Sequence, residues 1–231
     1  MDITLSIQRQ ESYSRGELLL RSFFGVFYIL IPHAIALLFV SLWGGILQFL
    51  TFWVVLFTGK YPRNWFDTQL GILNWNLRLN ACILNMTDGY PAFGLSGEHP
   101  GIQLHIPYRE CVPRYEAFVR GLLGGLLILP HAVVLVFRTY WVLLLNFLAW
   151  WAILFTGRFP ENWFAWCEEQ MRWSTRINAY LLYMTEDYRP SPGGPRPDQS
   201  SSRAPERAKL TRLAPISSAR WRTASGSRWT A

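Results

Sequence analysis

The sequence predicts an all-α integral membrane protein built from two tandem repeats, and three observations support this prediction. The 231-residue chain is 51% hydrophobic and 16% charged, and it contains twelve Trp. Its apolar residues collect in two blocks, residues 22–58 and 121–156. A ten-residue motif recurs almost unchanged at the end of each block. This composition is too apolar and too rich in Trp for an ordinary soluble domain.

Each apolar block is close to twice the ~20 residues that one helix needs to cross a bilayer. We therefore expect each block to form a helical hairpin, which gives four transmembrane helices in total. Turns are predicted at residues 41–45 and 138–141, where Gly, polar and aromatic residues interrupt the aliphatic run. Because the resulting helices are short, the alternative is a re-entrant hairpin that does not cross the membrane completely.

The recurring motif reads FTGKYPRNWF at residues 57–66 and FTGRFPENWF at residues 155–164, which are 98 positions apart. Such a long ungapped match indicates a duplication. Further upstream Arg21 matches Arg120 at an offset of 99 positions. The first helices of the two copies therefore differ in length by one residue.

Each copy is predicted to contain a short strand, an apolar hairpin and an amphipathic helix. Apolar and polar residues alternate at residues 3–7 and 102–106, which is typical of half-buried strands that could pair with each other. The helix after each FTG motif is too polar to cross a membrane, so we expect it to lie along the cytoplasmic surface. The predicted domains are a first membrane repeat at residues 1–98, a second membrane repeat at residues 99–189 and a basic disordered tail at residues 190–231.

Several short motifs occur in both copies. They are a Pro-His pair inside the first apolar helix, FTG-[KR]-[YF]-P, and an Arg-bearing helix that ends in MT-[DE]-x-Y. This pattern resembles the bacterial membrane family called domain of unknown function 4389. The resemblance covers nearly all of residues 1–190. It implies a multi-pass membrane protein, and it implies no reaction, ligand or partner.

Positive charge is distributed unevenly around the two apolar blocks. Basic residues flank both blocks, whereas the predicted hairpin tips carry only Arg138. By the positive-inside rule we expect both termini in the cytoplasm. The resemblance to a bacterial membrane family implies that the membrane is the bacterial inner membrane. The long side chain of Arg138 is expected to reach the outer headgroups.

Aromatic and basic residues follow each FTG motif, and this combination is typical of a lipid-headgroup belt. The candidate headgroup site consists of Lys60, Arg78, Arg158, Arg176, Trp65 and Trp163. The alternative interpretation is that these residues only anchor and turn the chain at the membrane surface.

His33 and His131 each follow a proline inside an apolar block. Ionisable residues are costly in a membrane and are therefore candidates for function, here as haem or metal ligands or in proton or substrate passage. The simpler interpretation, which we adopt, is a neutral His that bonds a neighbouring helix or a carbonyl freed by the proline. We accordingly predict no cofactor and no metal.

The tail is rich in Pro, Gly, Ser and Arg, with eight Lys or Arg against two acidic residues. This composition predicts disorder and attraction to anionic lipid or to an acidic partner, although a merely solvated tail is the alternative. We expect no nucleic-acid binding, because few aromatic residues, Trp221 and Trp229, accompany the basic ones.

No hydrolase, zinc-protease or nucleotide-binding motif is present in the sequence, so we predict that the protein is not an enzyme. We expect a non-catalytic scaffold or accessory subunit of a larger membrane complex, with membrane lipids and either another protein or a second copy as partners. The alternative is a small transporter or channel component that uses the His-bearing helices. Gln48 and Asn146 are the only amides in the apolar blocks, which is few for a pore.

Overall fold

The computed structural model describes residues 3–186, and this part of the chain is mostly helical. The predicted tail lies outside the described residues. The elements in chain order are β1 (Thr4–Ile7), α1 (Arg15–Gly25), a π-helical turn (Val26–Leu30), α2 (Ile31–Thr58), α3 (Arg63–Ile83), β2 (Ile102–His105), α4 (Arg114–Thr156) and α5 (Glu161–Leu181).

Within residues 3–186, two helices are long and apolar enough to cross a membrane. The first is the continuous helix Arg15–Thr58, which joins α1, the π turn and α2 over 44 residues, and the second is α4 with 43 residues. In their most apolar windows only 22% and 17% of the residues are buried by protein. A core helix of a soluble protein would be mostly buried, so these helices present their apolar surface outward.

The predicted hairpins are wrong, and with them the prediction of four separate transmembrane helices. Residues 41–45 lie inside α2 and residues 138–141 lie inside α4. Gly44 does not form a turn but allows α2 and α3 to pack closely, because a Cβ at this position would lie 2.8 Å from Cδ1 of Ile72 on α3. Glycine inside a helix costs only about 1 kcal/mol relative to alanine, so the pair Gly44-Gly45 does not stop a helix that gains packing.

The one-residue difference between the two long helices is accommodated by the π turn. The N–H of Ile31 bonds to the carbonyl of Val26, five residues earlier, whereas α4 runs without such a turn from Arg114 to Thr156. A π turn takes up one additional residue without interrupting the helix. It lies between Arg21 and the Pro-His pair, which is where the sequence offset changes from 99 to 98.

Both long helices end in the same way at the FTG motif. Gly59 and Gly157 adopt left-handed backbone conformations with φ of 72° and 70°, which favour glycine. The N–H of each glycine bonds to a carbonyl four residues earlier, at Val55 and Ile153. The chain then reverses through a proline, and α3 packs along α2 while α5 packs along α4. The motif is therefore a helix stop followed by a helix start.

The contacts between the two halves of the chain recur at the sequence offset. The predicted strands pair as an antiparallel ribbon, and Leu5 lies opposite Leu104, which is 99 positions further on. The N–H of Tyr13 bonds to the carbonyl of Gly157 at 2.9 Å, and the N–H of Val112 bonds to the carbonyl of Gly59 at the same distance. The two long helices accordingly run antiparallel, with the start of each beside the end of the other.

The hydrophobic core consists mainly of two clusters, and each combines residues from both halves. One cluster joins Leu18 and Met86 from the first half to Ile153 and Phe159 from the second. The other contains the offset-related residues Ala117, Met184, Val55 and Tyr61. Neither half therefore encloses its core alone.

Candidate functional site

The long helices present a broad apolar surface outside the protein core. Their buried residues recur about every fourth position, so only one stripe of each helix contacts other elements. The remaining large side chains point outward, as shown by Phe23 and Phe137, which are 72% and 71% exposed. Exposed apolar areas of this extent mark membrane or protein interaction surfaces.

The amides of the apolar blocks point away from this surface. Gln48 donates from Nε2 to the carbonyl of Leu181 at 2.8 Å. Asn146, which is 98 positions further on, accepts from Nδ2 of Asn85 at 3.0 Å. Both amides therefore connect a long helix to the C-terminal end of the amphipathic helix of the other half, at its last residue or just beyond it.

Arg138 also points toward the amphipathic layer, so the expectation that it reaches outer headgroups from a hairpin tip is wrong. Its Nε donates to Oε1 of Gln170 at 3.1 Å, and its Nη2 lies 3.6 Å from the carboxylate of Glu169. The guanidinium stacks over the ring of Trp166, 4.7 Å from the centroid. All three partners belong to α5, which runs beside the middle of α4.

The two histidines each lie beside a tryptophan of their own half. His33 is fully buried and accepts on Nδ1 from Nε1 of Trp75 at 2.8 Å. His131 is half-buried and packs edge-on against Trp173, with ring centroids 6.2 Å apart. Within residues 3–186 no group of three or more His, Cys, Asp or Glu could hold a metal ion. The bond to Trp75 is of the neighbouring-helix type that the sequence interpretation favoured.

The predicted headgroup residues fall into two different environments. Arg78 and Arg176 are buried and donate to backbone carbonyls, at 2.6 Å to Gly94 and at 3.4 Å to Ile3. Burial also lowers the pKa of Arg78. Lys60 and Arg158 are exposed in the FTG turns, and Trp65 and Trp163 beside them are half-buried. Only the exposed members of the set are thus available to lipid.

A buried arginine, Arg120, joins the start of α4 to the end of α5. It donates to the carboxylate of Glu116 at 2.7 Å and to the carbonyls of Tyr180 and Thr185 at 3.2 and 2.7 Å. Its guanidinium also lies 3.9 Å from the centroid of the Tyr180 ring. The tyrosine ring thus closes the space around the cation.

Residues 118–192 match the family model of a domain of unknown function (DUF4389). The match covers about a third of the chain, including Arg120, Arg138, the second FTG motif and α5. It supports the family that the sequence motifs resemble. No curated protein matches the chain, and no solved structure does.

Arg21, which lies 99 positions before Arg120 and outside the DUF4389 match, makes fewer hydrogen bonds than Arg120 does. It donates from Nη1 to the carbonyl of Thr87 at 2.7 Å and to Sγ of Cys82 at 3.3 Å. Its side chain is 10% exposed, and Nη2 lies 3.8 Å from the carboxylate of Asp88. Nε and Nη2 are buried and make no hydrogen bond.

A cavity of about 200 Å³ lies beside this guanidinium. Its walls come from α1, the π turn and the end of α3, and they include Gly25, Ile29 and Cys82. In the sequence, Arg21 was interpreted only as one of the basic residues that precede the first apolar block. The signal that could have identified the cavity is Cys82, because the position 98 residues further on holds the much larger Tyr180.

Proposed function

We propose that the protein is a non-catalytic membrane scaffold or accessory subunit whose two long helices lie flat within one leaflet. In this arrangement α3, α5 and the strand ribbon face the cytoplasm, and the apolar sides of α1, α2 and α4 face the acyl chains. The observation that carries the proposal is the position of the Arg138–Glu169 pair beside the middle of α4.

The length of the helices argues against a simple crossing. At 1.5 Å per residue, the 44-residue helix is about 66 Å long, roughly twice the ~30 Å hydrocarbon core. A crossing that kept it within the core would require a tilt well beyond the ~40° found for membrane helices. A flat helix with one apolar side has no such length limit.

The charges beside α4 lead to the same orientation. The Glu169 side chain is 62% exposed, and its partner Arg138 lies near the midpoint of the 43-residue helix. If α4 crossed the membrane, this exposed carboxylate would lie in hydrocarbon, where charged groups cost about 3 kcal/mol or more. In a flat orientation the same carboxylate faces water.

A scaffold agrees better with the polar contacts than a transporter does. Gln48, Asn146 and His33 are bonded within the protein. A cavity of about 280 Å³ between α3, α4 and α5 contains further amides, yet Asn76 and Asn178 bond to carbonyls of their own helices. We propose that the outer apolar surface contacts lipid and a protein partner or second copy in the bacterial inner membrane.

We further propose that the two halves are copies of one unit related by a two-fold axis along the membrane normal. Support comes from the strand register at Leu5 and Leu104 and from the paired bonds at Gly59 and Gly157. An axis of this direction keeps both amphipathic helices on the cytoplasmic side. Both termini then lie in the cytoplasm, as expected from the basic flanks.

The orientation is tested by labelling single cysteines with a membrane-impermeant maleimide in inside-out and right-side-out vesicles. Glu11→Cys and Lys60→Cys probe the two ends of the first long helix, and Leu42→Cys probes its middle, each combined with Cys111→Ser to remove an exposed thiol. We expect both ends to react only in inside-out vesicles, while Cys at position 42 stays unlabelled in lipid. Reaction of the two ends from opposite sides contradicts the flat orientation, and labelling at position 42 from outside indicates a hairpin.

A further inference from the structure

We propose that the cavity between α3, α4 and α5 binds the uncharged sugar headgroup of a membrane glycolipid. This inference rests on the proposed membrane location of the protein. Three features of the described residues carry it: amide oxygens whose nitrogens are already bonded, a cavity wall without charge, and an apolar lip.

Both amphipathic helices contribute equivalent positions to the cavity wall. Asn76 and Asn80 lie one turn apart on α3, and Ser174 and Asn178 lie one turn apart on α5. The two pairs are separated by the repeat offset of 98 positions. The cavity therefore lies where the two halves of the protein meet, and polar side chains reach it from two helices.

These side chains present acceptors to the cavity, because their donors are already in use. The Nδ2 atoms of Asn76, Asn80 and Asn178 donate to carbonyls four residues earlier on their own helices, at 3.0, 2.8 and 2.9 Å. The hydroxyl of Ser174 donates to a carbonyl three residues earlier at 3.0 Å. Each amide oxygen can still accept two hydrogen bonds. A ligand that donates several hydrogen bonds is therefore favoured.

The absence of charge from the cavity wall restricts the ligand further. None of the described residues that line the cavity is charged. An ammonium group would be desolvated there without a carboxylate as partner, and a phosphate would face acceptor oxygens where it needs donors. The amide of Gln170 is also occupied, because it accepts from Arg138 and donates to Thr139. A neutral group with several hydroxyls fits these conditions, and a sugar provides more of them than the single hydroxyl of a diacylglycerol.

The size and the lip of the cavity suit a headgroup that carries acyl chains. Its volume of about 280 Å³ is just below the ~300–1,000 Å³ of typical small-molecule sites, which suits a single sugar ring. Leu143 of α4 and Ile83 of α3 also line it, and they are 49% and 43% exposed. Leu143 belongs to the apolar surface that the proposed orientation places in the leaflet. Acyl chains can therefore lie along α4 while the sugar occupies the cavity.

The test is a lipid titration of the full chain, followed by native mass spectrometry in lauryldimethylamine oxide, a detergent without a sugar. The probes are monogalactosyl-dioleoylglycerol, dioleoylglycerol, which lacks the sugar, and methyl galactoside, which lacks the acyl chains. The double variant Asn80→Leu/Asn178→Leu removes one acceptor from each helix. The matched control is Asn64→Leu/Asn162→Leu, the same substitutions at exposed asparagines near the starts of α3 and α5 and outside the cavity. Circular dichroism checks that both variants are folded.

We expect the wild-type chain and the control to retain one galactolipid, and the double variant to bind it about ten-fold more weakly, as expected for the loss of two neutral hydrogen bonds. The wild-type chain should also prefer the galactolipid to dioleoylglycerol. Equal binding of the galactolipid by the double variant and the wild-type chain overturns the proposal, and so does equal binding of the two lipids by the wild-type chain.

Methyl galactoside distinguishes a lipid from a free sugar as the source of the headgroup. We expect it to bind more weakly than the galactolipid, because it cannot contact the apolar lip. Equal affinity for the two ligands overturns the assignment to a lipid. Because the titration uses detergent micelles, it reports on the cavity whichever way the helices lie in a membrane, and cysteine labelling tests the orientation separately.

Discussion

Arg21 and Arg120 occupy offset-related positions in the two halves, and their surroundings differ in one systematic way. Arg120 has a carboxylate, two carbonyls and an aromatic ring as partners. Arg21 bonds to one carbonyl and a thiol, and the carboxylate of Asp88 lies 3.8 Å from its Nη2, too far for a hydrogen bond. The basic arrangement is otherwise retained, because each arginine bonds a carbonyl just after an amphipathic helix. A common framework therefore holds a well-paired arginine in one half and a less completely paired one in the other.

The backbone differs at the same place. The first long helix contains the π turn at Val26–Leu30, whereas α4 is α-helical from Arg114 to Thr156. The added residue and the small Cys82 both border the cavity. The two halves therefore differ beside this arginine both in the backbone and in the size of the neighbouring side chain.

The largest expected effect that distinguishes the two sites is on stability. Arg120→Leu removes a charge-assisted bond to Glu116 and the bonds to two carbonyls, while Arg109 still pairs with Glu116, so we expect a loss of about 2–4 kcal/mol. Arg21→Leu removes fewer bonds and should cost about 1–2 kcal/mol. Urea unfolding in detergent, followed by circular dichroism, measures both. Equal losses in the two variants would show that the difference in pairing has no energetic consequence.

A smaller difference is expected for the two histidines. His33→Leu removes the acceptor of the buried Trp75 N–H and should cost about 1–3 kcal/mol. His131 is only half-buried, and the Nε1 of the neighbouring Trp173 makes no hydrogen bond in the native protein. We therefore expect His131→Leu to lower the free energy of unfolding by less than His33→Leu does. The same unfolding assay compares them. A larger loss for His131→Leu would reverse this ranking, and loss of a bound chromophore in either variant would show that the ring is a ligand.

Much of this fold follows from local sequence patterns. The ten-residue motif predicted where the long helices end, because a left-handed glycine followed by proline stops one helix and starts the next. Alternation predicted the strands, and the shared register pairs Leu5 with Leu104. The helix ends and the strands depend on residues close together in the chain, and the pairing of the strands follows from the repeat, so the sequence alone is sufficient for them.

The hairpins and the cavity depended on information that local patterns lack. The 37-residue apolar block 22–58 has the length of two short helices or of one long helix. Only its packing against α3 distinguishes these two structures. The inward direction of Arg138 likewise depends on Gln170 and Glu169, which lie about 30 positions away. The cavity beside Arg21 exists because Cys82 is small; no local motif marks it, and only the comparison with Tyr180 in the other copy reveals it.

The smallest expected effect concerns Asp88, whose offset-related residue Glu186 is 74% exposed. Burial raises the pKa of Asp88, so the folded chain binds its proton more tightly than the unfolded chain does. Stability should therefore fall as pH rises from the ordinary carboxyl pKa to the raised one. Asp88→Asn keeps an acceptor for Ser14 and removes this penalty. It should match the wild-type melting temperature near pH 4 and slightly exceed it near pH 7, with Glu186→Gln as the control for charge removal. A wild-type advantage that grows with pH would instead show that the 3.8 Å approach to Arg21 outweighs burial.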